Sequence, residues 1–304
     1  MDLIDKIKNN YSWLNKKNQD IIIGDDIDAI MSACFLHDVL NWNIIGFYVD
    51  YSKLFIKKGY KKWKNAVFVD LDISNNDIKS IGHHILKLND EAENCIGQLK
   101  SINPNLIRKI SMKNFNQKYP LATIHFLQWL YSNHIEINDD IENLIWIPDS
   151  SWINGQSHRY RKNMLDWIEF FNLKNLKKSF KEIDKKSFEE MINKKIIPLI
   201  KNTGFLEGRS QISSRYYKIK GYQCQFKNPV KDSKKINNLI DTICNIYNWK
   251  KPIIPKNYDL INGCRKNADI RTILINNDLS SFIKDNNVFS YVIPNYNRIN
   301  YTIM

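Results

Sequence analysis

The chain has 304 residues and a mass of 36.1 kDa, and its 43% hydrophobic and 12% aromatic content supports a packed core of one large or two ordinary domains, which excludes a wholly disordered chain. Forty-five Lys+Arg against 32 Asp+Glu give a net charge of +13 and a pI near 9.3, a surplus that attracts polyanions, with nucleic acid or nucleotides first. No apolar run approaches the ~18 residues of a membrane span, the N-terminal MDLIDKIKNNYSW has no signal-peptide core, and five unclustered cysteines speak against a disulfide framework or a zinc site, so a cytoplasmic protein without a membrane partner is expected.

The first half alternates strands and helices. Asp20–Gly24 is a short β-branched run, and the segment after it places Ala29, Met31, Ala33, Leu36 and Leu40 on a helical stripe. Asn43–Asp50 and Asn65–Asp72 read as a second and a third strand, both ending in carboxylates. Leu121–Asn133 reads as an apolar helix, and Asn143–Trp152 as a further strand with a carboxylate at its end. This rhythm predicts an α/β domain over residues 1–165, a parallel sheet with crossover helices, whose ligands bind at the carboxyl ends of the strands. Residues 166–204 read as a Lys-rich helical connector; from Arg161 to Asn202 there are 11 Lys+Arg against six Asp+Glu. Residues 205–304 read as a smaller α+β substrate-binding domain: a strand around Tyr216–Phe226, a helix over Lys234–Trp249, and strands near Tyr258–Ile261 and Val288–Ile293.

The chemistry-bearing residues follow predicted strands: Asp25, Asp26 and Asp28 in IIIGDDIDAI, Asp70 and Asp72 in VFVDLD, and Asp149 in IWIPDSSW, with His83 and His84 adjacent in KSIGHHIL. Carboxylates crowded at one sheet edge repel one another unless a cation neutralises them, and aspartate oxygens with imidazole nitrogens suit Mn²⁺ or Mg²⁺. Each feature alone has a plainer reading, a helix cap for the D-x-D turn and a packing pair for the histidines. P-loop, G-x-G-x-x-G, G-x-S-x-G, H-E-x-x-H and EF-hand patterns are absent, which argues against a nucleotide-driven motor or a dinucleotide-dependent redox enzyme.

In this order, the motifs over residues 18–165 resemble those of the DHH phosphoesterases, a superfamily of manganese-dependent hydrolases that includes single-strand exonucleases, enzymes cleaving oligonucleotides or cyclic dinucleotides, and pyrophosphatases. Asp26-Ile27-Asp28-Ala29 is similar to the first motif, Asp70 to the second, Gly82-His83-His84 to the name-giving triplet, and Asp149-Ser150-Ser151 to the fourth. Gly82 stands where the family has aspartate and Ala29 where it has glycine, and residues 205–304 hold no glycine-rich substrate signature.

The resemblance implies a two-metal phosphodiesterase acting on single-stranded nucleic acid, oligonucleotides or a signalling nucleotide. It implies Asp28, Asp70, His83 and Asp149 around one Mn²⁺ or Mg²⁺ ion. Asp26 would lead the ligation of a second ion, with Asp25 or Asp72 filling gaps and His84 on the scissile phosphate. Arg159 and Arg161, just after the fourth motif, read either as phosphate contacts or as the outward charges of a helix start. The alternative is a catalytically degenerate relative kept as a binding or interaction protein, and the AT-rich coding suits a phage origin.

Among the other residues, Tyr48, Tyr51, Phe55, Tyr60 and Trp63 lie among Lys53, Lys57, Lys58, Lys61, Lys62 and Lys64, either as a single-strand track or as core aromatics under a solvated Lys face. His125 and His134, on or beside an apolar helix, read as structural.

Overall fold

Short β-branched runs bounded by turn residues pair into two sheets. The structure is a computed structural model describing residues 2–75, 77–84, 100–132, 135–156, 158–206, 213–275, 279–295 and 297–304. The strands are β1 (Asp20–Ile23), β2 (Asn43–Val49), β3 (Lys53–Lys57), β4 (Val67–Val69), β5 (Lys79–Ile81), β6 (Ser101–Ile102), β7 (Tyr258–Asn262), β8 (Cys264–Asp269), β9 (Val288–Asn295) and β10 (Arg298–Ile303). The helices are α1 (Leu3–Asn10), α2 (Ile27–Leu40), α3 (Pro104–Ile107), α4 (Thr123–Leu130), α5 (Ser151–Gln156), α6 (His158–Phe170), α7 (Lys174–Glu182), α8 (Lys185–Met191), α9 (Ile197–Asn202), α10 (Ser233–Tyr247), α11 (Ile270–Ile275) and α12 (Leu279–Asp285). None of the described helices is long and apolar enough to cross a membrane.

The chain divides into two units, each discontinuous. One holds Met1–Asp25, Leu36–Lys118 and Pro252–Met304; the other holds Asp26–Phe35 and Tyr119–Lys251. The three consecutive segments expected from sequence are not the pattern of this division. Residues 258–304 belong with β1, and the Lys-rich helices belong with α4.

The first unit is built on a seven-stranded sheet in the order β6-β5-β4-β1-β2-β3-β7. Pairing is parallel from β6 through β2, and β3 and β7 add an antiparallel edge. The expected parallel sheet is therefore present as the larger part of a mixed one. Strand order reverses beside β1, whose neighbours are β2 and β4, so the carboxyl ends of β1 and β4 border a topological switch point. Helix α2 connects β1 to β2, whereas β4 reaches β5 without a helix. Between β2 and β3, Asp50 and Tyr51 both take positive φ, as a tight hairpin turn of matching twist requires. Gly46 faces that hairpin partner so closely that a Cβ there would lie 2.4 Å from the Phe55 carbonyl oxygen.

One apolar cluster of this unit joins Ile22, Ile45, Tyr48, Leu54, Phe68 and Phe289. It accounts for the aromatic stretch 48–63. Tyr48 and Phe55 are buried, Tyr60 and Trp63 pack partly buried against the cluster, and only Tyr51 is exposed. The lysines around them lie at the surface, so the core reading with a solvated Lys face is the one realised. A second, three-stranded antiparallel sheet, β8-β10-β9, packs α11 and α12 on one face. Its other face turns Ser290 Oγ to Tyr48 Oη (3.0 Å) and the Thr302 hydroxyl to the Tyr51 carbonyl.

The second unit is helical. Every residue of α4 is buried, its polar Thr123, His125 and Gln128 among them. Trp129 and Phe171 rings meet at 4.4 Å, and Tyr119 and Trp167 at 5.0 Å edge to face. The strand expected over Asn143–Trp152 is not formed. Asp139 and Glu142 make a reciprocal capping box that opens a 3₁₀ turn over Asp140–Trp146, and Pro148 opens another, before α5. The strand expected over Tyr216–Phe226 is likewise replaced by irregular chain, with one bridge between Ser213 and Lys220. Helix α10 realises the predicted 234–249 helix and ends on Asn248 in the left-handed conformation.

Four cysteines are described as free thiols, and Cys95 lies outside the described residues. Burial pushes the Cys34 thiol well above its ordinary range, with the Cys244 thiol beside it adding to the effect, and burial also raises Cys224. Only Cys264 is exposed. In a Cys95→Ala background, a thiol reagent at about pH 8 should therefore modify a single cysteine, Cys264, before unfolding. Mass spectrometry of the labelled native protein checks this, and rapid labelling of Cys34 would contradict the packing described.

Candidate functional site

In the first unit, β4 ends at Val69 and the chain turns sharply, with Asp70 at φ 59°. Strand β5, parallel to β4, ends at Ile81 and delivers Gly82, His83 and His84 alongside. Asp70 Oδ1 lies 3.3 Å from His83 Nδ1, and the imidazole is 3% exposed. The rings of His83 and His84 stack with centroids 3.8 Å apart, and ligating nitrogens of the two fall within 4.8 Å of each other.

Asp72 has a different task. Its carboxylate accepts the His84 backbone N–H (2.7 Å) and the Asn103 side-chain amide (2.7 Å), while Asn105 Nδ2 holds the His83 carbonyl (2.8 Å). Gly82 makes this possible. A Cβ at residue 82 would lie 2.5 Å from the Asp72 carboxyl carbon, so Asp72 occupies the space beside the glycine that stands before the two histidines. Asp70, Asp72 and His84 line a cleft of about 250 Å³ with Tyr48, Tyr51 and Tyr291. Asp25, after β1, accepts the Asp50 N–H, and burial pushes its carboxyl up to about 6, the charge of Asp50 adding to the shift.

In the second unit, Asp26 accepts the Ala29 N–H (3.1 Å) at the start of α2, the role of a helix cap. Asp28 is fully buried and accepts from three donors: Thr123 N–H (2.6 Å), Ile124 N–H (3.0 Å) and Ser32 Oγ (3.3 Å). Two of these donors open α4, whose own preceding residue, Ala122, has no capping oxygen. Asp28 thus caps α4 from ninety-five positions away in the chain, where the helix dipole favours negative charge.

Asp149 sits in a helical break rather than at a strand end, with φ 52° followed by φ 52° at Ser150. Its N–H donates to Gln223 Oε1 (3.2 Å), and the Gln223 carbonyl accepts the Ile27 N–H (2.8 Å), so one glutamine ties the Asp149 turn to the Asp26–Asp28 turn. Asp28 and Asp149 both face Tyr119, whose phenol is raised well above its ordinary range by burial and by these two charges.

The described residues therefore gather Asp70, Asp72, His83 and His84 in one unit, and Asp26, Asp28 and Asp149 in the other. Arg161 lines a different cleft of the second unit: its guanidinium stacks on Phe180 (4.2 Å) and donates to the Phe180 carbonyl (3.1 Å). The Arg159 side chain and His134 lie outside the described residues. His125 is structural, as expected: Nδ1 accepts the Ala122 N–H and Nε2 faces the Ile145 carbonyl, both at 3.0 Å. Gln223, Asn103 and Asn105 were not singled out by sequence. Asn103-Pro104-Asn105 reads in the sequence as a turn and helix entry, which Asn103 fulfils as the cap of α3, and no local pattern marks Gln223. No family model, curated protein or solved structure matches the chain.

Two outcomes follow from these hydrogen bonds. Gly82→Asp should lower stability by at least ~2 kcal/mol, because it forces a second carboxylate into the space of Asp72. Pairing it with Asp72→Gly should recover most of the loss in a denaturation double-mutant cycle, and additive losses would disprove the competition for space. Asp28→Ala should cost about 2–4 kcal/mol in urea unfolding, since it strands buried donors, with Asp28→Asn costing less.

Proposed function

We propose that the chain is a metal-dependent phosphodiesterase of the DHH type, hydrolysing phosphodiester bonds in single-stranded nucleic acid, oligonucleotides or a signalling nucleotide. The observation that carries the reading is the contact between Asp70 and His83, at the carboxyl side of parallel strands and beside a stacked second histidine. A carboxylate oxygen and an imidazole nitrogen form a donor set that suits Mn²⁺, with Mg²⁺ as the harder alternative. Asp70 and His83 would hold one ion, and Asp72 would contribute to a second. Such ions, when bound, lower the pKa of water and offset charge on phosphate oxygens.

The chain's own groups serve the substrate. Asp72 and Asn105 fix the backbone of His84 and His83, so the imidazoles are presented in one orientation before anything binds. His84, partly exposed in the cleft beside Asp70, is the group that meets a scissile phosphate. The net charge of +13 draws a polyanion to the molecule.

A second reading, a binding protein without turnover, is favoured by one specific observation. Asp26, Asp28 and Asp72 each satisfy backbone or side-chain donors of the protein itself, so their presence has a structural reason.

Calorimetric titration with Mn²⁺, together with cleavage of a fluorescent single-stranded oligonucleotide, separates the two. The expected result is Mn²⁺-dependent cleavage abolished by chelation, with Asp70→Ala and His83→Ala each weakening metal affinity or turnover ~10–100-fold. These two residues are the useful probes, because loss of Asp28 would also damage α4. Absence of both Mn²⁺ heat and cleavage in the unmodified chain would leave the binding reading in its place.

A further inference from the structure

The second unit holds a cleft that the proposed chemistry does not use. Residues of the 140–146 turn and of α5, α6, α7 and α8 converge on about 290 Å³ of free space open to solvent. Its apolar wall is aromatic: Trp146 and Phe180 stack with planes 24° apart, and Gly155 lets Phe180 approach so closely that a Cβ there would lie 2.3 Å from the ring. Its rim is cationic. Arg161 stacks on Phe180 and spends one N–H on the Phe180 carbonyl, and Lys185 Nζ donates to the Gln156 backbone carbonyl (3.3 Å).

Within this cleft three polar atoms are buried without a hydrogen-bond partner. They are Nε1 of Trp152, a residue only 2% exposed, and both the Oε1 and the Nε2 of Gln156. Trp146 is different, since its indole N–H donates to Ser179 Oγ at 3.1 Å. Buried donors and acceptors of folded proteins are almost always paired, so a lone indole N–H beside an amide with both ends unused is a standing cost of folding that a ligand can remove.

The chemistry of these groups defines what would fit. A glutamine amide offering one acceptor and one donor in a plane matches the adjacent N6–H donor and N7 acceptor on the edge of adenine. The Trp152 N–H supplies a donor for a further ring nitrogen, the aromatic wall supplies stacking, and Arg161 and Lys185 supply positive charge for a phosphate. We propose that this cleft is a binding site for an adenine nucleotide, with Gln156 reading the base edge and Arg161 and Lys185 holding the phosphate. It lies wholly within the second unit and needs none of the acidic or histidine residues of the candidate metal centre.

The test is calorimetric titration of the full chain with AMP in EDTA, so that the outcome does not depend on metal chemistry, with GMP, CMP and inorganic phosphate as comparators. AMP should bind and raise the melting temperature. Gln156→Leu should weaken AMP at least ~10-fold and abolish the preference for AMP over GMP. Trp152→Phe, which keeps an aromatic ring but removes the indole donor together with part of the ring volume, should also weaken AMP. Its companion, Gln156→Leu, keeps the proposal testable where the tryptophan variant fails to fold. The proposal is overturned if AMP gives no heat up to about 1 mM, if inorganic phosphate binds as well as AMP, or if Gln156→Leu binds AMP like the unmodified chain.

Discussion

A single carboxylate organises the histidine turn. Asp72 is 7% exposed and would be an expensive group to bury alone, yet it receives the His84 N–H and the Asn103 amide within hydrogen-bonding distance. It can reach them only because residue 82 has no side chain. The consequences run outward from this contact. The backbone of residues 82–84 is fixed at the end of β5, the His83 carbonyl is gripped by Asn105, and the His83 ring is left against Asp70. The glycine before the two histidines is thus coupled to an aspartate two positions beyond Asp70, its missing side chain making room for that carboxylate.

The same economy of polar groups governs the second unit. Helix α4 is buried along its whole length and begins after an alanine, so no capping side chain at that position can satisfy its first two N–H groups. Asp28 supplies both oxygens from the start of α2, and Gln223 draws that start and the Asp149 turn together with its main-chain and side-chain oxygens. Acidic residues that look surplus in the sequence are therefore part of how the chain closes its own hydrogen bonds. The capping acid Asp28 belongs to the second unit, whereas Asp70 and His83 belong to the first.

Much of the first unit was legible from residue pattern alone. Short β-branched runs at 20–24, 43–50 and 65–72, each bounded by turn residues, appear as β1, β2 and β4, and the helical stripe between the first two appears as α2. The clustering of Asp70 and Asp72 with the histidines was legible too, because parallel strands bring successive strand ends to one edge. What failed were segments whose local signals conflict. Asn143–Trp152 is apolar and β-branched enough to read as a strand, but the capping box before it and Pro148 within it dictate helical turns. The aromatic stretch 48–63 read equally well as a binding track or as core, and the contacts that decide it come from Phe289, far along the chain. The discontinuous division of the chain leaves no mark at all in composition.

The left-handed residues sharpen the difference between the acids. With only ten glycines, the chain places asparagine at several such positions, Asn18, Asn41, Asn172, Asn248 and Asn287 among them, where turns and helix ends require positive φ. Positive φ at Asp70 alone is thus in keeping with the rest of the molecule. Asp149 is another matter, because Ser150 follows it in the same conformation, and the other consecutive pair among the described residues, Asp50–Tyr51, is accounted for by the hairpin between β2 and β3. No strand pairing demands a double left-handed step at 149–150, which sits between two helical turns, and such strain costs of order 1–3 kcal/mol per residue unless its surroundings enforce it. Gln223 enforces it here through the Asp149 N–H and the Ser150 hydroxyl. A turn held in this way interrupts the helical path at Asp149, and strain of that kind is what separates Asp149 from the capping acids Asp26 and Asp28.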